Sequence, residues 1–180
     1  KLIELEPELT RCAAICGDGD CGLVMKKGAQ HILSAIDGFG TDSASYCDAL
    51  ADAISASMGG TSGALLELFF RAMASSLVSS ESGSNSPLAK AVMGLRAGLD
   101  AMMFFGGATR GMSTMLDALI RAVESLEENM GLSVGGASAG YKEVVSKAAE
   151  AATAGRDTTL SMGALAGRAN YVNEELMQGV

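Results

Sequence analysis

The sequence is poor in several residue types that mark particular classes of protein. Tryptophan is absent, proline occurs twice, and aromatic residues make up 4% of the 180 residues, although 48% are hydrophobic. Sheets draw on aromatic and β-branched side chains, whereas the abundance of Ala, Leu, Met and Glu favours closely packed helices. Because the chain is long enough to bury a real core, we expect residues 1–180 to form one all-α domain.

Basic clusters and long apolar runs are also missing. The chain has 13 basic and 21 acidic residues, a net charge of −8, and no basic cluster longer than Lys26-Lys27. Nucleic acid is therefore not an expected partner. No apolar run reaches the roughly 18 residues that indicate a membrane span, and no charged-then-apolar leader is visible. A cytoplasmic protein without a membrane partner is the expectation.

Soft metal ligands are few. The chain has four cysteines and a single histidine, His31. The spacing of Cys12, Cys16 and Cys21 is not that of a structural zinc site, and we expect His31 to be a packed or surface residue. The cysteines are expected to be reduced thiols, as is usual inside cells.

One glycine-rich stretch carries two carboxylates, Cys16-Gly17-Asp18-Gly19-Asp20-Cys21-Gly22. It fits the pattern G-x-G-x-x-G, yet carboxylates beside a pyrophosphate repel it unless a divalent cation lies between them. Asp18 and Asp20 are two residues apart in a flexible bend, so both can turn toward one centre. Mg²⁺ prefers a few carboxylates together with phosphate oxygens. The stretch therefore predicts a metal-bridged phosphate site.

Other interpretations of this stretch fare differently. A dinucleotide-binding loop requires a preceding strand, but Glu4–Ile15 contains helix-type residues and Pro7. An EF-hand that starts at Asp18 requires oxygen ligands where the chain has Gly22 and Ala29. A helix-linking turn without a ligand stays open on this stretch alone.

Hydrophobic periodicity predicts seven or eight helices in an up-and-down bundle. The predicted helices are Pro7 to about Ala14, Gly22–Ile36, Ser43–Ser57, one capped by Thr61 or Ser62, Pro87 to about Phe105, one capped by Ser113, Ala137–Ala154 and Thr158 to about Gly167. Two polar loops are expected at Ser79–Ser86 and Gly131–Gly136. Three further loops, at 17–22, 59–63 and 106–111, are rich in glycine. Alternate connections of such a bundle lie at the same end, so these loops can converge on one ligand site.

The second glycine-rich loop has two readings. Gly59 and Gly60 allow a tight turn, after which Thr61 or Ser62 can cap the next helix. The same hydroxyls, together with the N–H groups of the helix amino terminus, can instead contact a phosphate. Both readings stay open at this point.

Four segments taken together resemble the C-terminal nucleotide-binding domain of dihydroxyacetone kinases. They are Gly17–Gly22, Met58–Ala64, Thr114–Leu119 and Ala166–Tyr171, and the resemblance covers nearly the whole chain. It implies an antiparallel eight-helix barrel with a nucleotide site at one end, which holds ATP or ADP through Mg²⁺. It also implies a glycerone kinase activity in which the phosphoryl group passes to a short hydroxy-ketone on a separate domain, so that this chain is a piece of a longer one.

The resemblance assigns roles to particular residues. It implies that Asp18 and Asp20 are Mg²⁺ ligands and assigns no catalytic side chain. The implied nucleotide contacts are Gly19, Asp20, Cys21, Gly22, Thr61, Ser62, Gly106, Thr114 and Met115. The family usually has a third metal-binding Asp where this chain has Ala13, and an Asp-Arg pair where it has Met112-Ser113.

The implied partner is a dihydroxyacetone-binding domain, in the same chain or in a partner subunit, and a homodimer is allowed for. Two alternatives stay open beside the kinase. One is a nucleotide-binding or regulatory module with little catalysis, which the departures at Ala13, Met112 and Ser113 favour. The other is an ADP-holding phosphotransferase-system subunit, although such relatives more often carry His at the place of Cys21.

Overall fold

A computed structural model of the chain describes residues 1–79, 86–130 and 138–171, and every regular element in these ranges is helical. The seven α-helices found there are α1 (Glu6–Cys16), α2 (Cys21–Ala35), α3 (Ser43–Ser57), α4 (Gly60–Ser79), α5 (Pro87–Gly106), α6 (Met115–Asn129) and α7 (Ser138–Thr158). The predicted all-α fold is confirmed. Within the described ranges, no helix is long and apolar enough to cross a membrane.

Helices that follow one another in the chain pack side by side and run in opposite directions. Along α4 and α5, Gly94 lies beside Met73 and Gly98 lies beside Phe69. Between α6 and α7, Lys147 Nζ donates to Asn129 Oδ1 at 3.2 Å near one end. At the other end, Gly155 lies against the backbone of Asp117. The glycine-rich connections therefore come to the same end of the bundle.

The core is built around α5. Leu99 is completely buried there, and Met102 is 1% exposed. Both pack with Phe69 from α4 and with Leu116 and Ile120 from α6 in one apolar cluster. Burying a leucine side chain fully contributes about 1.5–3 kcal/mol, so this cluster is a principal source of stability. Met102 also reaches the ligand-sized cavity described below, which places that cavity directly on the core.

Most predicted helix bounds hold, since α3 matches its predicted range and α5 ends one residue later than expected. Two predicted caps are wrong. Helix α4 already begins at Gly60, so Thr61 and Ser62 lie in its first turn and do not precede it. Helix α6 is capped by Thr114, whose extended backbone suits a cap, whereas Ser113 has a φ of 57°.

The predicted helix over residues 158–167 is also wrong. Helix α7 runs on through Gly155 to Thr158, and only short 3₁₀ turns follow, at Thr159–Ser161 and Arg168–Tyr171. Met162 is extended, and Gly167 has a φ of 73°, so neither continues a helix. Most of the predicted loops at 79–86 and 131–136 lies outside the described residues.

Candidate functional site

A cavity of about 640 Å³ lies at the end of the bundle where the glycine-rich loops meet. Its wall combines residues from loops 17–21, 59–62 and 106–116 with the segment 166–171. Eight of the predicted site residues line it: Asp18, Asp20, Cys21, Thr61, Ser62, Gly106, Thr114 and Met115. The structure thus brings together segments that lie far apart in the sequence.

The first wall is the turn between α1 and α2. Asp18 and Asp20 both line the cavity and are exposed. Asp20 occupies the position before α2, yet its side chain makes no capping hydrogen bond to that helix. Gly19 between them has a φ of 71°, a left-handed conformation that side chains rarely adopt. The turn therefore depends on this glycine, and it brings two carboxylates to the cavity.

Ala13 also lines the cavity, from the last turns of α1. This is the position at which the resemblance implies a third carboxylate. Among the residues that the structure describes, no group of three or more His, Cys, Asp or Glu side chains is arranged to hold a metal ion. The carboxylates that this wall offers are therefore Asp18 and Asp20, with a methyl group at position 13.

The negative charge of this wall affects the pKa of Cys21, a free thiol that lines the cavity at the start of α2. Burial raises the pKa of the Cys21 thiol, and the negative charges of Asp20 and Asp18 raise it further. The thiol is therefore neutral near pH 7. It adds no negative charge to the cavity, and it is a poor nucleophile.

The second wall is the amino terminus of α4. Gly59, Gly60, Thr61 and Ser62 line the cavity, and the first turn of this helix contains no acidic residue. The first N–H groups of a helix lack partners within the helix and attract anions. Two hydroxyl groups and a helix amino terminus thus share the cavity with the two carboxylates.

Met58, which directly precedes this second wall, packs against both α2 and α4. Its side chain is buried, and it packs over Gly28 of α2, where a methyl group would lie 2.4 Å from the Met58 sulfur. Its carbonyl oxygen lies against Gly63 of α4, where a methyl group would come within 2.3 Å. The turn before α4 is therefore tied to two helices, and it requires glycine at position 63, where the contact is with backbone atoms.

The third wall is largely apolar. Val24, Leu65, Met102 and Leu116 line it, and the exposed side chain of Met115 lies at its edge. Gly106 ends α5 there, and a methyl group at Gly106 would lie 3.3 Å from Leu65 Cδ1. The cavity thus combines carboxylates, hydroxyl groups and a helix amino terminus with apolar side chains, a lining that suits a ligand with a charged part and an apolar part.

Asp117 was not predicted as a site residue, although it supports the third wall. It is a charged side chain that is only 1% exposed. Its carboxylate accepts hydrogen bonds from the backbone N–H groups of Gly111 at 2.5 Å and Thr114 at 2.9 Å. The pattern Thr-x-x-Asp at the start of α6 is a capping box and is visible in the sequence.

Two of the predicted site residues do not line the cavity, namely Gly19 and Gly22. Gly22 is buried against α1, where a methyl group would come within 2.3 Å of the Glu6 carbonyl oxygen and of Thr10 Oγ1. Gly22 therefore allows α1 and α2 to approach each other closely. His31, which we expected to be packed or on the surface, is exposed.

Comparison with known proteins identifies the family to which this chain belongs. The family model described as "DAK2 domain" matches residues 15–180. The chain belongs to the DAK2 domain family. This DAK2 domain is 34% identical over 182 residues to the dihydroxyacetone kinase of Citrobacter freundii, an alignment that covers 99% of this chain and 29% of that protein. The family resemblance drawn from the four sequence segments is thereby confirmed.

Solved structures of the C. freundii dihydroxyacetone kinase resemble this DAK2 domain. The native form superposes with a TM-score of 0.69 at 31% identity, covering 86% of this chain and 25% of that one. The form in complex with AMP-PNP and Mg²⁺ gives a TM-score of 0.62 at 30% identity, covering 89% of this chain and 31% of that one. The DAK2 domain spans only 28–30% of the length of the curated relatives it matches.

Proposed function

We propose that this DAK2 domain binds ATP or ADP together with Mg²⁺ in the cavity at the loop end of the bundle. The observation that carries the proposal is that two carboxylates and the amino terminus of α4 line the same cavity. Carboxylates alone repel a phosphate, and a helix amino terminus alone attracts one, so the combination suits a phosphate that arrives with a divalent cation. The related kinase that was solved with AMP-PNP and Mg²⁺ supports this reading.

The residues present fit one Mg²⁺–nucleotide complex. Mg²⁺ is commonly bound by one or two carboxylates plus substrate phosphates, and Asp18 and Asp20 provide that number. Thr61 and Ser62, with the first N–H groups of α4, would contact the phosphates. Gly106, Thr114 and Met115 would contact the nucleoside on the apolar side. When bound, the ion supplies charge neutralisation for the phosphates.

We further propose that the domain provides the nucleotide side of a kinase that acts on dihydroxyacetone or a related short hydroxy-ketone. Phosphoryl transfer depends mainly on positioning and on charge neutralisation, so the lining does not need a general base. The substrate would be held by a separate domain, which agrees with the greater length of the relatives named dihydroxyacetone kinases.

Isothermal titration calorimetry with ATP and ADP tests the nucleotide proposal directly. We expect binding in Mg²⁺ and its loss in EDTA. Asp20→Asn keeps the shape of the side chain but removes its charge, so the affinity should fall by about ten-fold or more, since a full negative charge no longer faces the ion. The control is Asp37→Asn, which makes the same change in the short 3₁₀ turn after α2, at the opposite end of the bundle.

Two results would count against the metal-bridged site. One is an affinity that EDTA leaves unchanged. The other is an equal loss of affinity in Asp20→Asn and Asp37→Asn, which would show that the loss comes from the net charge of the protein and not from the cavity.

A second candidate function is a nucleotide-binding or regulatory module with little catalysis. It is favoured by Ala13, because the position of the missing carboxylate lies in the cavity wall itself. Phosphorylation of dihydroxyacetone by the full-length chain separates the two candidates, since a regulatory module would bind nucleotide without turnover. ADP that stays bound through purification would instead favour the phosphotransferase-system alternative.

A further inference from the structure

The backbone between α5 and α6 is strained next to the cavity. Among the residues that the structure describes, Ser113 is the one non-glycine residue with a positive φ, at 57°. Gly111, two residues earlier, has a φ of 84°. Directly after this turn come Thr114, Met115 and Leu116, which all line the cavity. Such conformations persist only where the surrounding contacts hold them.

The buried carboxylate of Asp117 holds both ends of this turn. One oxygen, Oδ1, accepts from Gly111 N at 2.5 Å, and the other, Oδ2, accepts from Thr114 N at 2.9 Å. These two donors flank Met112 and Ser113, so the carboxylate bridges the strained pair. Because both oxygens are engaged, an amide cannot replace the carboxylate: its NH₂ group would face one of the two N–H donors.

Two further contacts prevent the turn from relaxing. Helix α7 lies against the backbone of Asp117, since a methyl group at Gly155 would come within 2.3 Å of the Asp117 carbonyl oxygen. On the other side of the turn, Leu165 N donates to Met112 O at 3.2 Å. These contacts fix the position of Asp117 and of Met112, so the turn cannot relax by a shift of either residue.

We propose that Asp117 is a positioning residue for the nucleotide, acting through Thr114 and Met115, which it holds at the cavity wall. The inference rests on the proposed function, because it assigns the buried carboxylate a part in ligand affinity beyond capping α6. A purely structural cap would lower the stability of the protein and leave the affinity of the folded molecule unchanged.

The test compares Asp117→Asn with Val144→Ala. Val144 is completely buried in α7, and it does not line the cavity. Its truncation therefore lowers stability without touching the turn. Calorimetry with Mg²⁺–ADP is performed at a temperature at which circular dichroism shows each variant folded. We expect the Kd to rise about ten-fold in Asp117→Asn, the effect of losing one charge-assisted hydrogen bond, and to stay within about two-fold of the unaltered protein in Val144→Ala.

Ser113→Gly provides a rescue. Glycine adopts a positive φ without strain, so the turn then needs less support from the carboxylate. The double variant Ser113→Gly, Asp117→Asn should regain roughly three-fold or more of the lost affinity. Unchanged affinity in Asp117→Asn, equal losses in Asp117→Asn and Val144→Ala, or no rescue by Ser113→Gly would each overturn the inference.

Amide hydrogen exchange of the unaltered protein keeps the test decisive if Asp117→Asn does not fold. The N–H groups of Gly111 and Thr114 should exchange at least about ten-fold more slowly than in an unstructured chain, since both are hydrogen-bonded. Exchange at unstructured rates would overturn the inference even if nucleotide binds. Failure of the unaltered protein to bind Mg²⁺–ADP would overturn the proposed function and the inference with it, whereas binding with the same Kd in Asp117→Asn overturns the inference alone.

Discussion

Asp18, Asp20 and Ala13 line the same cavity, and on the proposed function these three side chains would decide how strongly Mg²⁺ is held. The two carboxylates come from one turn, and Ala13 faces the same cavity from α1. Oxygen ligands determine the affinity for Mg²⁺, and Ala13 contributes none. The charge of the two carboxylates is also felt by Cys21, whose raised pKa reflects burial first and then both carboxylates.

The substitution Ala13→Asp should therefore give a crossed pattern of melting temperatures. Without Mg²⁺, a third carboxylate repels the other two, and the variant should melt at a lower temperature than the unaltered protein. With Mg²⁺–ATP the order should reverse, because the third carboxylate should raise the affinity for the ion, and a ligand that binds the folded state stabilises it more the lower its Kd is, by roughly 2.7 kcal/mol at about 100 times the Kd. Thermal melts of both proteins, with and without Mg²⁺–ATP, measure this.

The control for this substitution is Ala149→Asp. Ala149 is exposed on α7, and it does not line the cavity. The change adds the same charge away from the Asp18–Asp20 turn, so the gain from Mg²⁺–ATP should equal that of the unaltered protein. Parallel shifts in Ala13→Asp as well would show that position 13 does not face the ion.

At the scale of elements, close contacts between helices require glycine, a residue that usually predicts the end of a helix. Gly155 lies inside α7, and a methyl group there would come within 2.3 Å of the Asp117 carbonyl oxygen and 2.9 Å of the Ala118 Cα. Both obstacles are backbone atoms of α6. The two helices can therefore approach closely only because position 155 has no side chain.

Gly155→Ala is expected to lower the free energy of unfolding by about 2 kcal/mol. Overpacking costs roughly 1–3 kcal/mol, and a clash with backbone belongs at the upper end, while alanine regains about 1 kcal/mol of helix propensity. Urea denaturation measures the change. Gly38→Ala is the control, because a methyl group there meets nothing within 4 Å. Similar stabilities for the two variants would contradict the close packing of α6 and α7.

At the scale of the whole molecule, ion pairs between helices link stability to pH. Arg96 on α5 donates to Glu127 on α6 through Nε at 2.8 Å and through a terminal nitrogen at 2.5 Å. These hydrogen bonds, and next the positive charge of Arg96, hold the pKa of Glu127 below its ordinary value of 4.5 against the opposing effect of burial. The pair connects two helices that border the cavity.

Removing this pair should matter at neutral pH and cease to matter in acid. Because the pKa of Glu127 is lower in the folded protein, its contribution is complete above the unfolded pKa and is lost as the pH falls through the folded pKa. Glu127→Gln should therefore be less stable than the unaltered protein at pH 7, and the difference should shrink below about pH 4.5. Denaturant titrations at pH 7 and in mild acid measure it.

The neighbouring Glu128→Gln makes the same change of charge on an exposed side chain. It should show no such dependence on pH, because exposed charges contribute little to stability. A difference between Glu127→Gln and the unaltered protein that is the same at both pH values would rule out the ion pair as its source.

The sequence by itself predicted the helical class, the bounds of several helices and the position of the glycine-rich turns. The scarcity of strand-forming residues predicted an all-helical chain. Regular apolar spacing located α3 and α5 within a residue, because a packed helix buries one apolar face and that face repeats about every three to four residues. The glycines around Asp18 and Asp20 predicted a turn there, and that turn joins α1 to α2. The convergence of three glycine-rich loops also followed from counting connections in an up-and-down bundle.

Tertiary contacts decided what local signals could not. Gly155 resembles a helix end but continues α7, because the missing side chain lets that helix approach α6. Gly22 belongs to a phosphate-loop pattern but is used for packing against α1. Ser113 and Thr114 are both plausible caps by residue type, and the choice fell to Thr114 because Asp117 holds the preceding turn with Ser113 at a positive φ. Gly155 of α7 packs against the backbone of Asp117, a contact between residues distant in the sequence that only the folded molecule determines.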